Sequence, residues 1–366
     1  MPGSTSRAPV SAEARPETAF RLEGRIPQND LLRLDAYSAG VAFVNGEITV
    51  SGDLFEAVRF FLTRSRPGWR ALWNISRAWV GQLNLKTRLR DRTTTARDVQ
   101  FHYDRSNEFY QQFLDSQMQY SEGHFTSADC SLEEAQREKL ERICRHLGLA
   151  PGQRLLDIGC GWGGLLAYAA ARFGVEGVGC TLSERQFQFA SESMSKSGLA
   201  GRVLIHQTDY RNLNGPFDRI ASIGMFEHVG RRRMPAYFRK VYSLLSKDGL
   251  FLNRGIVRPE TGTDQPETLF VQRNVFPGGQ LIHLSEVVHD AERAGFELVS
   301  MEDLRRHYAR TCRAWVVNLM ANAEACRLVD EATYRTWVLY LAASAVNFED
   351  GRIDCVEAVF AKRPRR

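Results

Sequence analysis

The chain has 366 residues, 43% of them hydrophobic and 25% charged, with a formal net charge of +5. That length suits one large domain plus a smaller one, and the balance is ordinary for a globular protein with a sizeable core. No apolar run reaches the roughly eighteen residues that a spanning helix needs, so no transmembrane helix is expected.

Residues 1–18 are rich in Pro, Ser, Ala and Arg and lack the apolar centre of a secretory signal, so they read as a disordered tail. Residues 19–95 read as a small N-terminal domain of helical or mixed character. Within it Ala42–Val50 (AFVNGEITV) places an Asn-Gly pair between short apolar runs, which predicts a hairpin. Asp53–Phe61 reads as a short amphipathic helix. From Arg64 to Arg97 nine basic residues face Asp91 alone, with Trp69, Trp73 and Trp79 among them. Basic plus aromatic composition suits an anionic membrane surface. It equally describes a solvated helix face whose tryptophans pack on a core. Nucleic acid is a weaker third reading, because no recognisable nucleic-acid module accompanies the patch.

Residues 96–366 read as the catalytic domain. Ala96–Leu147 has a helical pattern, best seen in Leu132–Leu147 with Ser131 placed to cap it and Glu134 three residues on. After Pro151-Gly152 strands and helices alternate. Strands are expected at Arg154–Ile158, Gly177–Thr181, Val203–Gln207, Phe217–Ile223 and Gly249–Val257. Helices are expected at Gly161–Phe173, Ser183–Ser197 and Met234–Leu245. The succession predicts an α/β fold with an open parallel sheet covered on both faces. Phe270–Gly295 interrupts the alternation before a helix near Ser285–Ala294. Ala314–Ala345 is again helical, and Cys355–Phe360 reads as the closing strand. The seven cysteines form no CxxC pair, which argues against a disulfide framework or a cysteine zinc site and for a reducing cytoplasm.

The strongest local signal is LLDIGCGWGG, Leu155–Gly164. A buried strand ends at Asp157-Ile158, and Gly159, Gly161, Gly163 and Gly164 lead into a helix. Glycine permits such a tight turn and a close backbone approach to a ligand, and the helix start presents free N–H groups. The GCGWGG spacing differs from the GxGxxG of nicotinamide enzymes. It resembles the S-adenosylmethionine loop of Rossmann-like methyltransferases. The second strand ends in Thr181, with Gln186 nearby, where a ribose-binding acid is usual, so these two are candidates for the ribose hydroxyls. Asp209, Tyr210 and Arg211 follow the third strand, where Asp209 suits an adenine amino group and Tyr210 suits packing on the ring. Each of these taken singly could be an ordinary loop residue.

Several stretches in order, LLDIGCGWGG, TLSERQ, GMFEHVG, FPGG, HYARTCRAW and FHYDRSNEFYQQFLD, resemble the cyclopropane-fatty-acyl-phospholipid synthases and the mycolic-acid methyltransferases. The likeness runs from about Phe101 to the end. It implies a Rossmann-like S-adenosylmethionine methyltransferase fold with acyl-chain-covering helices, and a small lipid-facing N-terminal domain. It also implies transfer of a methyl group to the double bond of an unsaturated acyl chain, leaving a carbocation that loses a proton to a base. Water must be excluded and negative charge placed near the cation. The partners so implied are unsaturated phospholipid acyl chains and an anionic membrane, with the protein peripheral on its cytoplasmic face. A homo-oligomer and a reductase are the further partners considered.

In typical family members the base is a bound bicarbonate, held near a Cys, a Glu, a His and a Tyr. The resemblance carries over Glu227 in GMFEHVG and Tyr308 in HYARTCRAW. The Cys position differs: Tyr120-Ser121-Glu122-Gly123-His124-Phe125 places Glu122 there, while Tyr120 and Ser121 keep a cofactor-binding place. The His position reads Arg254, in FLNRGIV. A carboxylate shares the planar shape of bicarbonate. Hence the expectation is that Glu122 acts as a tethered base, oriented by Tyr308 and paired with Arg254. The alternative is an exposed loop residue in a drifted enzyme; bicarbonate is the further cofactor considered. His124, His228 and His307 lack metal-ligand spacing, and no metal is expected. Trp162 reads as loop packing. Phe276, Trp315 and Met320 suit either an acyl tunnel or plain core. Competing functions are a small-molecule N-methyltransferase and a non-catalytic lipid-binding protein.

Overall fold

The structure, a computed structural model, describes residues 19–24, 28–31, 33–64, 106–260, 270–271, 275 and 280–362. The predicted tail 1–18, residues 65–97 of the basic stretch and the FPGG motif at 276–279 lie outside the described residues.

Nine strands are described: β1 (Phe20–Gly24), β2 (Ile48–Gly52), β3 (Arg154–Ile158), β4 (Glu176–Thr181), β5 (Val203–Gln207), β6 (Phe217–Ile223), β7 (Leu245–Val257), β8 (Phe296–Asp303) and β9 (Asp354–Lys362). The last seven form one sheet in the order β5-β4-β3-β6-β7-β9-β8. The strands β3 to β7 are parallel to their neighbours, and β9 runs antiparallel between β7 and β8. The helices are α1 (Gln28–Leu31), α2 (Ala36–Val44), α3 (Leu54–Arg64), α4 (Asn107–Gln111), α5 (Leu132–His146), α6 (Gly164–Phe173), α7 (Glu184–Lys196), α8 (Met234–Leu244), α9 (Leu284–Ala294), α10 (Arg305–Ala321), α11 (Ala325–Leu328) and α12 (Glu331–Glu349).

The strands fold this way because apolar residues serve both faces of the sheet. Leu155, Ala221, Leu252 and Val359 join a core with α5 and α6, while Leu156, Ile220, Phe251 and Phe360 join a core with α8 and α9. Successive side chains point to opposite faces, so a strand covered on both sides is apolar throughout. Because β3 sits between β4 and β6, the order reverses beside it. That switch point, at the carboxyl ends of the strands, is where open α/β sheets open a crevice. A third core of α3, α4, α10 and α12 closes over this end, with Trp162, Trp315 and Trp337 buried in it. No helix among the described residues is long and apolar enough to cross a membrane.

Several expectations are corrected. The hairpin at Ala42–Val50 is instead the end of α2, a turn at Asn45-Gly46, and β2, which pairs antiparallel with β1. Asp35 caps α2, accepting from Ser38 N–H, and the apolar residues Val41–Val44 continue its helical stripe. The helical reading of 96–147 holds for α5, with its Ser131–Glu134 capping box. Much of 112–130 is irregular, because Asp115 accepts from the N–H groups of Gln117 and Gln119 and turns the chain back, as short acidic side chains do. Ala314–Ala345 spans parts of α10 and α12 with α11 between them, and HYARTCRAW lies within α10. The strand β8 was not expected. Its exposed Val299 and Met301 blur the pattern of an edge strand.

Candidate functional site

A cavity with about 1180 Å³ of empty space, its mouth included, opens at the carboxyl ends of β3, β4, β5 and β6. Asp157, Gly159, Gly161 and Trp162 line it after β3, and Thr181 and Gln186 after β4. Asp209, Tyr210 and Arg211 line it after β5, and Tyr120 and Ser121 enter from the loop before α5. Gly163 stands behind as the N-cap of α6. Its φ is +86°, and a Cβ there would lie 3.0 Å from Met194 and 3.2 Å from Ala190, so the turn needs glycine for both conformation and space. Gly159 and Gly161 also have positive φ, and at Gly161 nothing lies within 4 Å of a built Cβ. The cradle therefore leaves room for a ligand over Gly161. Its place at the strand ends and its mixed apolar and polar lining fit S-adenosylmethionine.

The polar lining is partly self-satisfied. Thr181 Oγ1 donates to Gln186 Oε1 at 2.8 Å, fixing both beside the expected ribose position. Asp209 lines the cavity where an adenine amino group is expected, with its carboxylate held by its own loop. It accepts from Arg211 N–H and from Arg211 Nε at 2.9 and 2.8 Å, so Arg211 is spent on shaping the loop. Asp157 is buried at the end of β3, and burial pushes its carboxyl up to about 7, against the pull of Lys139.

Lys139 itself was missed by the sequence reading. It is fully buried on α5 and donates to Ser121 Oγ at 2.9 Å, while Gln136, one turn earlier, donates to Ser121 O at 2.9 Å. Burial lowers the lysine to about 8, opposed by Glu122 and Asp115. Two polar residues inside the buried stripe of an otherwise amphipathic helix were the available signal, since such residues are kept only with partners.

Glu122, the next residue after this clamp, is buried. Arg254 Nη1 donates to its Oε1 at 2.6 Å, and both side chains are 3% exposed. The sequence reading paired these two, and the structure brings them together across 132 residues of chain. The alternative of an exposed loop residue is overturned. Arg254 also donates through Nε and Nη2 to Glu357 Oε2, the former at 2.8 Å. His146 Nδ1 bonds the other oxygen of Glu357. Burial alone would raise Glu357, but Arg254 and His146 hold it down at about 2. Glu357 was also missed, although an acid inside the apolar run CVEAVF of β9 was its mark.

Glu227 accepts from Ile256 N–H at 2.7 Å through Oε1, while Oε2 has no partner among the described residues. Burial pushes its carboxyl up to about 7. Gly255 leaves it room, for a Cβ there would lie 2.9 Å from Oε1. Tyr308 stacks on Phe348 with ring centroids 4.5 Å apart, and burial drives its hydroxyl far up, with Glu122 among the charges contributing. No hydrogen bond to Glu122 is present. His307 accepts from Phe125 N–H through Nδ1 at 3.0 Å and stacks on His124 at 4.2 Å, while His228 lines the cavity. Trp162 donates to Asn107 Oδ1 at 2.8 Å, Trp315 is core, and Met320 is exposed.

A family model described as mycolic acid cyclopropane synthetase matches residues 90–358. A probable fatty acid methyltransferase of Pseudomonas putida is 39% identical over 334 residues, covering 89% of this chain and 82% of the relative. Cyclopropane mycolic acid synthase MmaA2 of Mycobacterium tuberculosis is 36% identical over 284 residues, covering 74% and 99%. Among solved structures, mycolic acid cyclopropane synthase CmaA1 complexed with SAH and CTAB superposes with a TM-score of 0.70 at 34% identity, covering 73% of this chain and 98% of that one.

Proposed function

The chain belongs to the mycolic acid cyclopropane synthetase family of S-adenosylmethionine-dependent methyltransferases, and from that premise we propose that it transfers one carbon to the double bond of an unsaturated phospholipid acyl chain, with Glu122 as the base. The observation that carries this reading is the position of Glu122. It directly follows the cofactor-lining Tyr120 and Ser121 and is buried against Arg254. The names of the relatives, a fatty acid methyltransferase and mycolic acid cyclopropane synthases, support the lipid acceptor.

When bound, S-adenosylmethionine supplies an electrophilic methyl group on positively charged sulfur. The glycine cradle, the Thr181–Gln186 pair and the Ser121 clamp hold it, and the aromatic core over the cavity excludes water. The acyl cation left by the transfer sheds a proton to the Glu122 carboxylate. Loss from the new methyl group closes a cyclopropane, and loss after a hydride shift leaves a methylene branch. A carbocation is so strong an acid that an ionised carboxylate suffices as base, and Arg254 compensates the cost of burying that charge. Bicarbonate has no part in this reading. The basic, aromatic composition of 64–97 supports a membrane surface as the place of action.

The test is incubation with S-adenosylmethionine carrying a deuterated methyl and oleoyl phospholipid vesicles, without bicarbonate, followed by mass spectrometry of the released acyl chains. A labelled chain one carbon heavier is expected; ring and methylene branch both keep two deuteriums, so fragmentation of the chain separates them. Measurable cofactor binding with no labelled chain would sink the proposal.

A further inference from the structure

Glu122, Arg254, Glu357 and His146 form a continuous chain of hydrogen bonds from the loop before α5 to the far end of α5 itself. Three of the four side chains are almost wholly buried, and His146 alone reaches the surface, at 32% exposure. Two carboxylates share one guanidinium in a dry interior, with Lys139 acting on Glu122 and His146 on Glu357. Burying so many ionic groups is costly, so each must be held in place by its partners.

The geometry divides the labour. Glu357 accepts from Arg254 on two nitrogens, Nε and Nη2, and this fork fixes the guanidinium plane. The remaining Nη1 then has one direction, and along it lies Glu122. The strands enforce the arrangement, since Arg254 and Glu357 are register partners on β7 and β9. His146 occupies the other oxygen of Glu357, so the carboxylate cannot turn away. His146, Glu302 and Glu357 place ligand-type atoms within 4.8 Å of one another. Arg254 and Arg142 already neutralise the two acids, so this cluster reads as a hydrogen-bonded support and not as a cation site.

We propose that Glu357, held by His146, is a positioning residue that acts through Arg254 to aim the Glu122 carboxylate at the cation formed on the acyl chain. This rests on the reading of Glu122 as base. It adds two residues, on β9 and α5, to the machinery of that step.

A double-mutant cycle with a spectroscopic readout tests it. In protein labelled with 15N-arginine, the buried Arg254 Nε–H signal, assigned by its loss in Arg254→Lys, should persist in Glu122→Gln and vanish into solvent exchange in Glu357→Gln. Persistence in Glu357→Gln overturns the inference without reference to any substrate. In the acyl-chain assay Glu357→Gln should lose turnover by roughly tenfold or more, with S-adenosylmethionine affinity within about twofold of wild type. The double variant Glu122→Gln with Glu357→Gln should be no slower than Glu122→Gln alone, because residues acting as one unit are non-additive. Multiplied losses would mark Glu357 as merely structural. Glu122→Gln at full rate overturns the base assignment and this inference with it. An inactive Glu122→Gln beside a fully active Glu357→Gln overturns this inference alone. If Glu357→Gln fails to fold, Glu357→Asp keeps the charge and shortens the reach. Slowed turnover at unchanged cofactor affinity is then expected, and wild-type turnover would overturn the claim.

Discussion

Thr311 Oγ1 accepts a hydrogen bond from Gly123 N–H at 2.9 Å, tying α10 to the loop that carries Glu122. The same hydroxyl donates to His307 O at 2.8 Å, so it is turned with its lone pair toward the loop. Gly123 is pressed from the other side, where a Cβ would lie 2.9 Å from that of Ala135. This hydrogen bond and close contact join the Ser121 and Phe125 hydrogen bonds in holding the loop between α5 and α10. Thr311→Val keeps the shape but strands a buried N–H, at a cost of about 1–3 kcal/mol. The variant should melt lower and turn over more slowly, while Thr311→Ser should behave as wild type. Equal melting temperatures for Thr311→Val and wild type would show that the bond does not hold the loop.

Lys139 is a buried cation facing Ser121, Glu122, Asp115 and Asp157 on the α5 side of the cavity. Replacing it with Met preserves bulk but leaves Asp157 without its opposing charge and Ser121 Oγ without its donor. Cofactor affinity of Lys139→Met, read by calorimetry, should fall by roughly tenfold or more, since losing one member of a buried charged hydrogen bond costs about 1.5–3 kcal/mol. Unchanged affinity would make Lys139 a folding residue only.

The sheet and cofactor loop were legible because their signals are local. A buried run ending in Asp157 and a cluster of glycines fixes strand, turn and helix start within ten residues. The pairing of Glu122 with Arg254 was legible only through likeness to a family whose residues differ at both places. Lys139, Glu357 and Thr311 were not, since each matters through a partner that lies 18 to 188 residues away in the chain. The false hairpin at Ala42–Val50 has the opposite cause. Asn45-Gly46 is a sound turn signal, but the sequence does not say whether a helix or a strand enters it, and the Asp35 cap decided for the helix.

The Glu122 and Arg254 pair also predicts a swap. Glu122→Cys with Arg254→His restores the residues expected at these places in typical family members and opens a gap the size of a small anion. Turnover in the double variant should be low in bicarbonate-free buffer and rise on the order of tenfold with added bicarbonate, whereas wild type should not respond. A wild-type enzyme that needs bicarbonate would refute the tethered base.

Glu227 gives a prediction of pH dependence with a definite sign. Its carboxyl is pushed from an ordinary 4.5 up to about 7 by burial, so between these values the folded chain holds a proton that the unfolded chain has released. Stability therefore falls as pH rises from about 4.5 to about 7, because the native state binds more protons there. The total is on the order of 3 kcal/mol for this group. Glu227→Gln removes the titration while keeping an acceptor for Ile256 N–H. Its melting temperature, compared with wild type from pH 5 to pH 8, should gain on wild type as pH increases. Parallel curves would mean that Glu227 carries no raised pKa. Asp157, also pushed to about 7, adds a decline of the same sign, so the steepest loss of the wild-type protein should lie below neutral pH and flatten above it. S-adenosylmethionine, which carries a positive sulfur, would favour the ionised carboxylates if bound in the cavity that Asp157 lines. The decline should then be shallower in saturating S-adenosylmethionine, and the wild-type and Glu227→Gln curves should draw together.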